Sequence, residues 1–394
     1  MAATLDFCLL VTIQSPRNGY IRSMTPPTNG ADDPARTLIR AVRAWLQGPG
    51  GLVLAVGSMV TGAAAILIGI IWITAPPRET SAEVAEGVFF EIATGAVTGT
   101  YYPLGNVVAS IIAYPAGSVR CDDESRCGPP GLTPAVQAAE GSVSNIEAVH
   151  DGLAASAFAQ SDVVNQAYNG EPPFETAYTD LRVISGLYGE SLHLIVMKDS
   201  GFGSVSDLSG QRISIDRLGS GTNGMSIRVL NAFGVTAANA TFVYESSERS
   251  GEMLLAGEID AFFYVAGTPV RAVQDLTNLN LVDLIPLEGP EINALVAREP
   301  YLTAAVIPDG TYLDIPEIQT IGVTALWICR DDAPFELVYR VARALWNPAN
   351  RPLLEAGPEQ ARFLSSRDAI QGVPIPFHPG AEQYYVEAGL LAED

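Results

Sequence analysis

The chain has 394 residues, with 22 basic and 44 acidic side chains and a formal net charge of −22. At 48% hydrophobic and 17% charged, it is neither a disordered polyanion nor a disulfide-dense mini-protein. The acidic balance excludes non-specific nucleic-acid binding, which needs a cationic face against phosphate.

The charge is uneven. Five arginines against three aspartates leave residues 1–50 at +2 and the remainder at −24, and Lys198 is the sole lysine. Residues 1–49 read as a disordered leader broken by Pro16, Pro26, Pro27 and Pro34, with Met24 as a second candidate start. From Gly50 to Ala75 there is no charged residue, and roughly 20 apolar residues suffice to cross a bilayer. A transmembrane or signal-anchor helix is therefore expected over 50–76. Arg36, Arg40 and Arg43 precede it, so the positive-inside bias keeps the N-terminus cytoplasmic and exports the rest. Thr80-Ser81-Ala82 offers a cleavage-like site, whereas the length of the apolar run favours an uncleaved anchor.

Beyond the leader, short β-branched runs alternate with amphipathic stretches. Strands are expected at Val88–Thr94, Ala154–Ala159, Leu181–Leu187, Leu192–Lys198, Arg212–Asp216, Thr241–Glu245, Ala261–Val265, Leu281–Pro286, Thr303–Ile307 and Ile321–Cys329. Helices are expected at Pro103–Ile112, Val143–His150, Gly224–Phe233, Arg249–Ala256 and Phe335–Trp346. Strands alternating with helices define an α/β fold, and so many strands point to two lobes. Cys121 and Cys127 flank an acidic loop, CDDESRC. In an exported protein they read as a disulfide; the alternative is a metal loop with Asp122, Asp123 or Glu124, which lacks the second ligand pair of a structural zinc site.

Gly219-Ser220-Gly221-Thr222-Asn223-Gly224 follows a strand, opens a helix and matches G-x-G-x-x-G, with Glu245 ending the next strand. That is the spacing of a dinucleotide fingerprint and makes an NAD-binding oxidoreductase one reading. Independently of NAD, backbone N–H groups at a helix start form an anion site. The chain's histidines, His150, His193 and His378, lie in no metalloprotease or nucleophile-elbow pattern. Four further polar loops end strands: Thr94–Pro103, Gly141–Asn145 with Ser142 as N-cap, Gln160–Asp162 and Gly267–Pro269.

These segments, ATGAVTGTYYPLGN, GSVSNIEAV, AQSDVVNQAYNG, LRVISGLYGESLHLIV, SGTNG, GEIDAFFYVAGTPV and FHPGAEQYYVEAGL, resemble the TAXI family of TRAP-transporter solute-binding proteins from about Val88 to the C-terminus. The resemblance implies a type II-like periplasmic binding protein fold, with one lobe from 83–195 and 300–394 and the other from 196–299. It implies a periplasmic receptor, without catalytic activity, cofactor or metal, that passes a small organic anion or amino acid (glutamate, 2-oxoglutarate or dicarboxylate-like) to a membrane permease. A membrane-tethered sensing subunit without a permease is the variant reading. The ligand site implied by the resemblance draws on Thr98, Gly99, Thr100 and Tyr101 from the first loop, then Ser142, Asn145, Gln160, Ser161 and Asp162. From the second lobe it takes Ser220, Gly221, Thr222, Gly267 and Thr268, with Tyr102 and Tyr312 as walls. Arg217 stands where the family more often has a small or neutral residue; turned inward it would pair with an anion, turned outward it is a surface arginine.

Overall fold

The computed structural model describes residues 87–299 and 301–392. The leader with Cys8 and Met24, the 50–76 segment, the Thr80–Ala82 site and the first residues of the lobe expected from 83 lie outside the described residues. Among the described residues no helix is long and apolar enough to cross a membrane.

The strands are β1 Val88–Ala93, β2 Leu132–Gln137, β3 Ser156–Gln160, β4 Leu181–Met197, β5 Arg212–Ser214, β6 Thr241–Val243, β7 Ala261–Ala266, β8 Val282–Leu284, β9 Thr303–Ile307 and β10 Ile318–Arg330. They hydrogen-bond in the order β2-β1-β3-β10-β4-β7-β5-β6, with β8 on β4 and β9 on β10. β1 pairs in parallel with β2 and β3, and β5 with β6 and β7. The helices used below are α1 Tyr101–Ile112, α2 Ser142–His150, α3 Ser161–Asn169, α4 Gly221–Ala232 and α5 Ser247–Leu255.

β4 and β10 shape the molecule. The N-terminal part of β4 runs against the C-terminal part of β10, while Ser191–Val196 turns its pairing to β7 and Ile318–Gly322 of β10 pairs with β9. Each long strand thus begins in one α/β lobe and ends in the other. The core divides accordingly. Phe90, Ile92, Phe158 and Trp327 pack on one side of the crossover, and Leu194, Ile213, Phe263 and Ile321 on the other. Leu302 and Ile307 also pack in the second lobe.

Two sequence expectations change. The strands expected at Leu181–Leu187 and Leu192–Lys198 are one strand of 17 residues, continuous through the Tyr188–Ser191 gap left between them. At Gly186 a Cβ would press on the Gln371 carbonyl at 3.1 Å, so close backbone approach rather than a turn explains this glycine. β2 carries Pro134, which obscures a strand in sequence, and it lies at the end of the sheet, where the missing N–H is tolerated. β3 and β7 are buried along their whole length, as expected of strands covered on both faces. Cys121 and Cys127 form a disulfide with Cα atoms 5.7 Å apart, so neither thiolate is left for the metal alternative.

Candidate functional site

Loops leaving the C-terminal ends of β1, β2, β3, β5, β6 and β7 converge at the crossover. In open α/β sheets ligands bind at these strand ends. They enclose a cavity of about 60 Å³ whose wall mixes residues of both lobes. From the first lobe come Gly99, Thr100, Tyr101, Ser142 and Gln160; from the second come Arg217, Ser220, Gly221 and Thr222.

Each loop is held by identifiable bonds. Asn145 is fully buried, and its amide donates to Thr94 O at 2.6 Å and Phe158 O at 2.7 Å, tying the loops after β1 and β3 together. Gly141, not Ser142, is the N-cap of α2, and the Ser142 hydroxyl instead accepts from Gln160 N–H at 3.0 Å. Ser220 caps α4 by accepting from Asn223 N–H at 3.2 Å. The Asn223 amide donates back to Ile215 O and Asp216 O. Thr222 Oγ1 accepts from Val265 N–H at 3.0 Å. These bonds fix the loops without occupying the first N–H groups of α4.

The remaining expected residues do not line the cavity. Thr98 donates to Glu248 across the cleft. Ser161 Oγ accepts from Thr324 N–H at 3.2 Å. Asp162 forms an ion pair with Arg228 of α4. Gly267 donates its N–H to Thr100 Oγ1 at 3.4 Å, and Thr268 precedes the cis Pro269. Tyr312 is a core residue: it donates to His193 Nε2 at 2.9 Å and accepts from Val270 N–H at 3.1 Å. Tyr102 is half-buried and off the cavity wall.

The lobes meet across the cleft at several of these points. Gly219 O accepts from both Val143 N–H and Ser144 N–H at 3.1 Å, so the start of α2 is spent on the opposite lobe. The Arg228–Asp162 pair, with side chains only 16% and 8% exposed, bridges α4 and α3. Gly221 packs on the Gln160 amide so closely that a Cβ there would collide with it. At Gly267 a Cβ would lie 2.6 Å from the Tyr188 ring and 2.8 Å from Gln360. Both glycines let backbone approach side chain across the cleft.

Wall residues not anticipated from sequence include Glu190, Asp216, Tyr264 and Ser247. Glu190, 3% exposed, lies on β4 where that strand passes between lobes, and its Oε2 accepts from Tyr101 Oη at 2.7 Å. Burial pushes its carboxyl up to about 8; the Tyr101 bond opposes this and the Asp162 charge adds to it. Asp216 has a left-handed backbone, φ 66°, which aspartate tolerates better than most residues, and accepts from Arg217 N–H at 2.8 Å. Burial raises it to about 6, opposed by that backbone bond. The signals were a lone acid inside the apolar run of β4 and an acid closing β5, both lost among the chain's many carboxylates. Arg217 itself is exposed and is, among the described residues, the one cationic side chain on the wall.

The dinucleotide topology is present locally, because β5, α4 and β6 form a parallel unit around the Gly219 loop. The opposite lobe nevertheless occupies that loop through Gly219 and Gly221, and a cavity of about 60 Å³ cannot contain a dinucleotide. Among the described residues, no group of His, Cys, Asp and Glu is arranged to hold a metal.

Two α/β lobes sharing two crossover strands, with a polar cavity at the facing strand ends, define a two-lobed binding-protein architecture. The chain belongs to the NMT1-like family, whose model matches residues 92–389. Among solved structures it is similar to MatC from Rhodopseudomonas palustris with bound malate, at 13% identity and a TM-score of 0.45 over 77% of this chain and 97% of that one. It is also similar to the periplasmic binding protein BugD, at 12% identity and a TM-score of 0.45 over 77% and 94%. A third similarity is to the alkanesulfonate-binding protein SsuA from Xanthomonas axonopodis pv. citri bound to MOPS, at 16% identity and a TM-score of 0.40 over 78% and 81%.

Proposed function

We propose that the protein is the extracytoplasmic solute-binding receptor of a TRAP-type, TAXI-class secondary transporter. It captures a small organic anion or amino acid between its lobes and delivers it to a membrane permease. The observation that carries this reading is a cavity to which both lobes contribute polar groups from strand ends and helix starts. Such a receptor works by differential affinity: the closed arrangement gains contacts from both lobes, so solute shifts the population toward it. The motif resemblance to TAXI proteins supports the transporter class.

The hinge in this reading lies inside β4 and β10, near Glu190 and Thr324. The second lobe then runs from about 191 to 323, wider than the 196–299 suggested by sequence pattern. The charge-free run at 50–75 directs export to the periplasm, as signal or as inner-membrane anchor. The test is a thermal-stability screen of the full chain in detergent against organic acids, amino acids, sugars and NAD. Stabilisation by an organic acid or amino acid supports the receptor. A response to NAD alone, or to nothing in the panel, removes it.

A further inference from the structure

Once ionised, carboxyl groups on a cavity wall disfavour a doubly charged anion, and an ammonium group beside them favours that ionised form. Glu190 and Asp216 are 3% and 8% exposed, and both stand on the cavity wall. Tyr264 lines the same cavity beside them. Glu140, which is exposed, adds a third carboxylate to the wall, and the exposed Arg217 also lines it. Gln160, only 4% exposed, also lines the cavity, and its amide oxygen, packed against Gly221, has no hydrogen-bond partner. Buried acceptors without donors are costly, and an ammonium group offers three donors and a positive charge.

The anion side of the cavity is narrower than the helix count suggests. The Val143 and Ser144 N–H groups of α2 are bound to Gly219 O. The first N–H groups of α1 and α4, at Tyr101 and Gly221, line the cavity and have no protein acceptor among the described residues. Two helix starts beside one acceptor cluster suit one carboxylate and one ammonium on the same small molecule.

We propose that Glu190 and Asp216 are specificity-determining residues that make the cleft select a small, net-neutral zwitterion, an α-amino acid with an uncharged side chain, over dicarboxylates and acidic amino acids. This rests on the receptor reading above and narrows it. The ligand carboxylate lies at the starts of α1 and α4, and its ammonium is shared by Glu190 and Asp216.

Calorimetric titration of the full chain with L-alanine, L-serine, propionate, L-glutamate and 2-oxoglutarate tests it. Alanine or serine should bind tightest, and propionate, which lacks the amine, at least about 100-fold more weakly, since charge-assisted bonds to buried groups are the strong ones. Asp216→Asn, which keeps a residue tolerant of positive φ, and Glu190→Gln should each weaken alanine binding at least about 10-fold while propionate binds no more weakly than before. Tightest binding of 2-oxoglutarate or glutamate, or equal affinity for alanine and propionate, overturns the proposal and leaves the receptor standing. An equal loss for both ligands in the variants also overturns the assigned role. No response to any small solute overturns the receptor reading itself.

Discussion

Tyr101 Oη donates to Glu190 Oε2 at 2.7 Å, joining the first turn of α1 to the crossover strand β4 where that strand passes from one lobe to the other. This one bond connects the solute cavity, the hinge and a buried ionisable group. Tyr101→Phe removes the donor and leaves the ring, which packs edge-on to Phe158 at 5.9 Å. The variant should lose about 1–3 kcal/mol in denaturant unfolding, the cost of orphaning a buried polar group. The Glu190 carboxyl should also titrate higher still, because the Tyr101 bond acts to lower it.

Glu190 gives the protein a pH dependence of known sign. Its carboxyl is raised from the ordinary 4.5 to about 8, so the folded state holds a proton that the unfolded chain releases. Its contribution to stability is full below about 4.5 and is lost as pH rises through about 8. Asp216 adds a loss of the same sign between 3.8 and about 6. The groups bearing on Glu190 are Tyr101, Tyr188 and Asp162, and Tyr264 and Asp216 complete the acidic neighbourhood. The melting temperature of the wild type without added solute should therefore fall from pH 5 toward pH 8 more steeply than that of Glu190→Gln. Parallel curves would show that Glu190 does not titrate in this range.

Asp162 and Arg228 bridge the lobes outside the cavity. Removing one partner strands the other as a buried charge, at about 3–5 kcal/mol, and lobe opening relieves that cost. Asp162→Asn alone should enlarge the radius of gyration in solution scattering and weaken solute binding. The double variant Asp162→Asn, Arg228→Met should recover most of the compactness, because no unpaired charge remains.

Gly221 is a point of close approach between the lobes. A Cβ there meets the Gln160 amide, while the α4 backbone at this position suits alanine. Gly221→Ala should therefore fold with stability within about 1 kcal/mol of wild type and lose at least about 10-fold in solute affinity. Equal affinity would mean that the two surfaces do not meet in the bound form.

The alternation of strands and helices, and the polar loops at strand ends, were legible in the sequence because hydrophobic period and glycine punctuation report local structure. Thr100, Gln160, Ser220 and Thr222 reach the cavity on those grounds. Glu190 and Asp216 were not legible: a carboxylate carries no sequence mark of burial, and the chain has 44 acidic residues. The continuity of β4 was hidden at Tyr188–Ser191, where Gly189 followed by the polar Glu190 and Ser191 interrupts the apolar run and looks like a turn. Asp162 looked like a ligand contact because it opens α3 beside Gln160; only the placement of Arg228 on α4, 66 residues later, makes it a bridge between lobes. The helix starts at Thr100, Ser142 and Ser220 look alike in sequence, yet Gly219 O consumes the donors of one of them.

The central claim is that a small solute draws the two lobes together about β4 and β10. Spin labels at the exposed positions Leu153 in the first lobe and Leu279 in the second measure this directly in the full chain. Adding a solute that stabilises the protein should shift the distance distribution toward a single short component, and Gly221→Ala should block the shift. A distribution unchanged by every stabilising solute would contradict the claim.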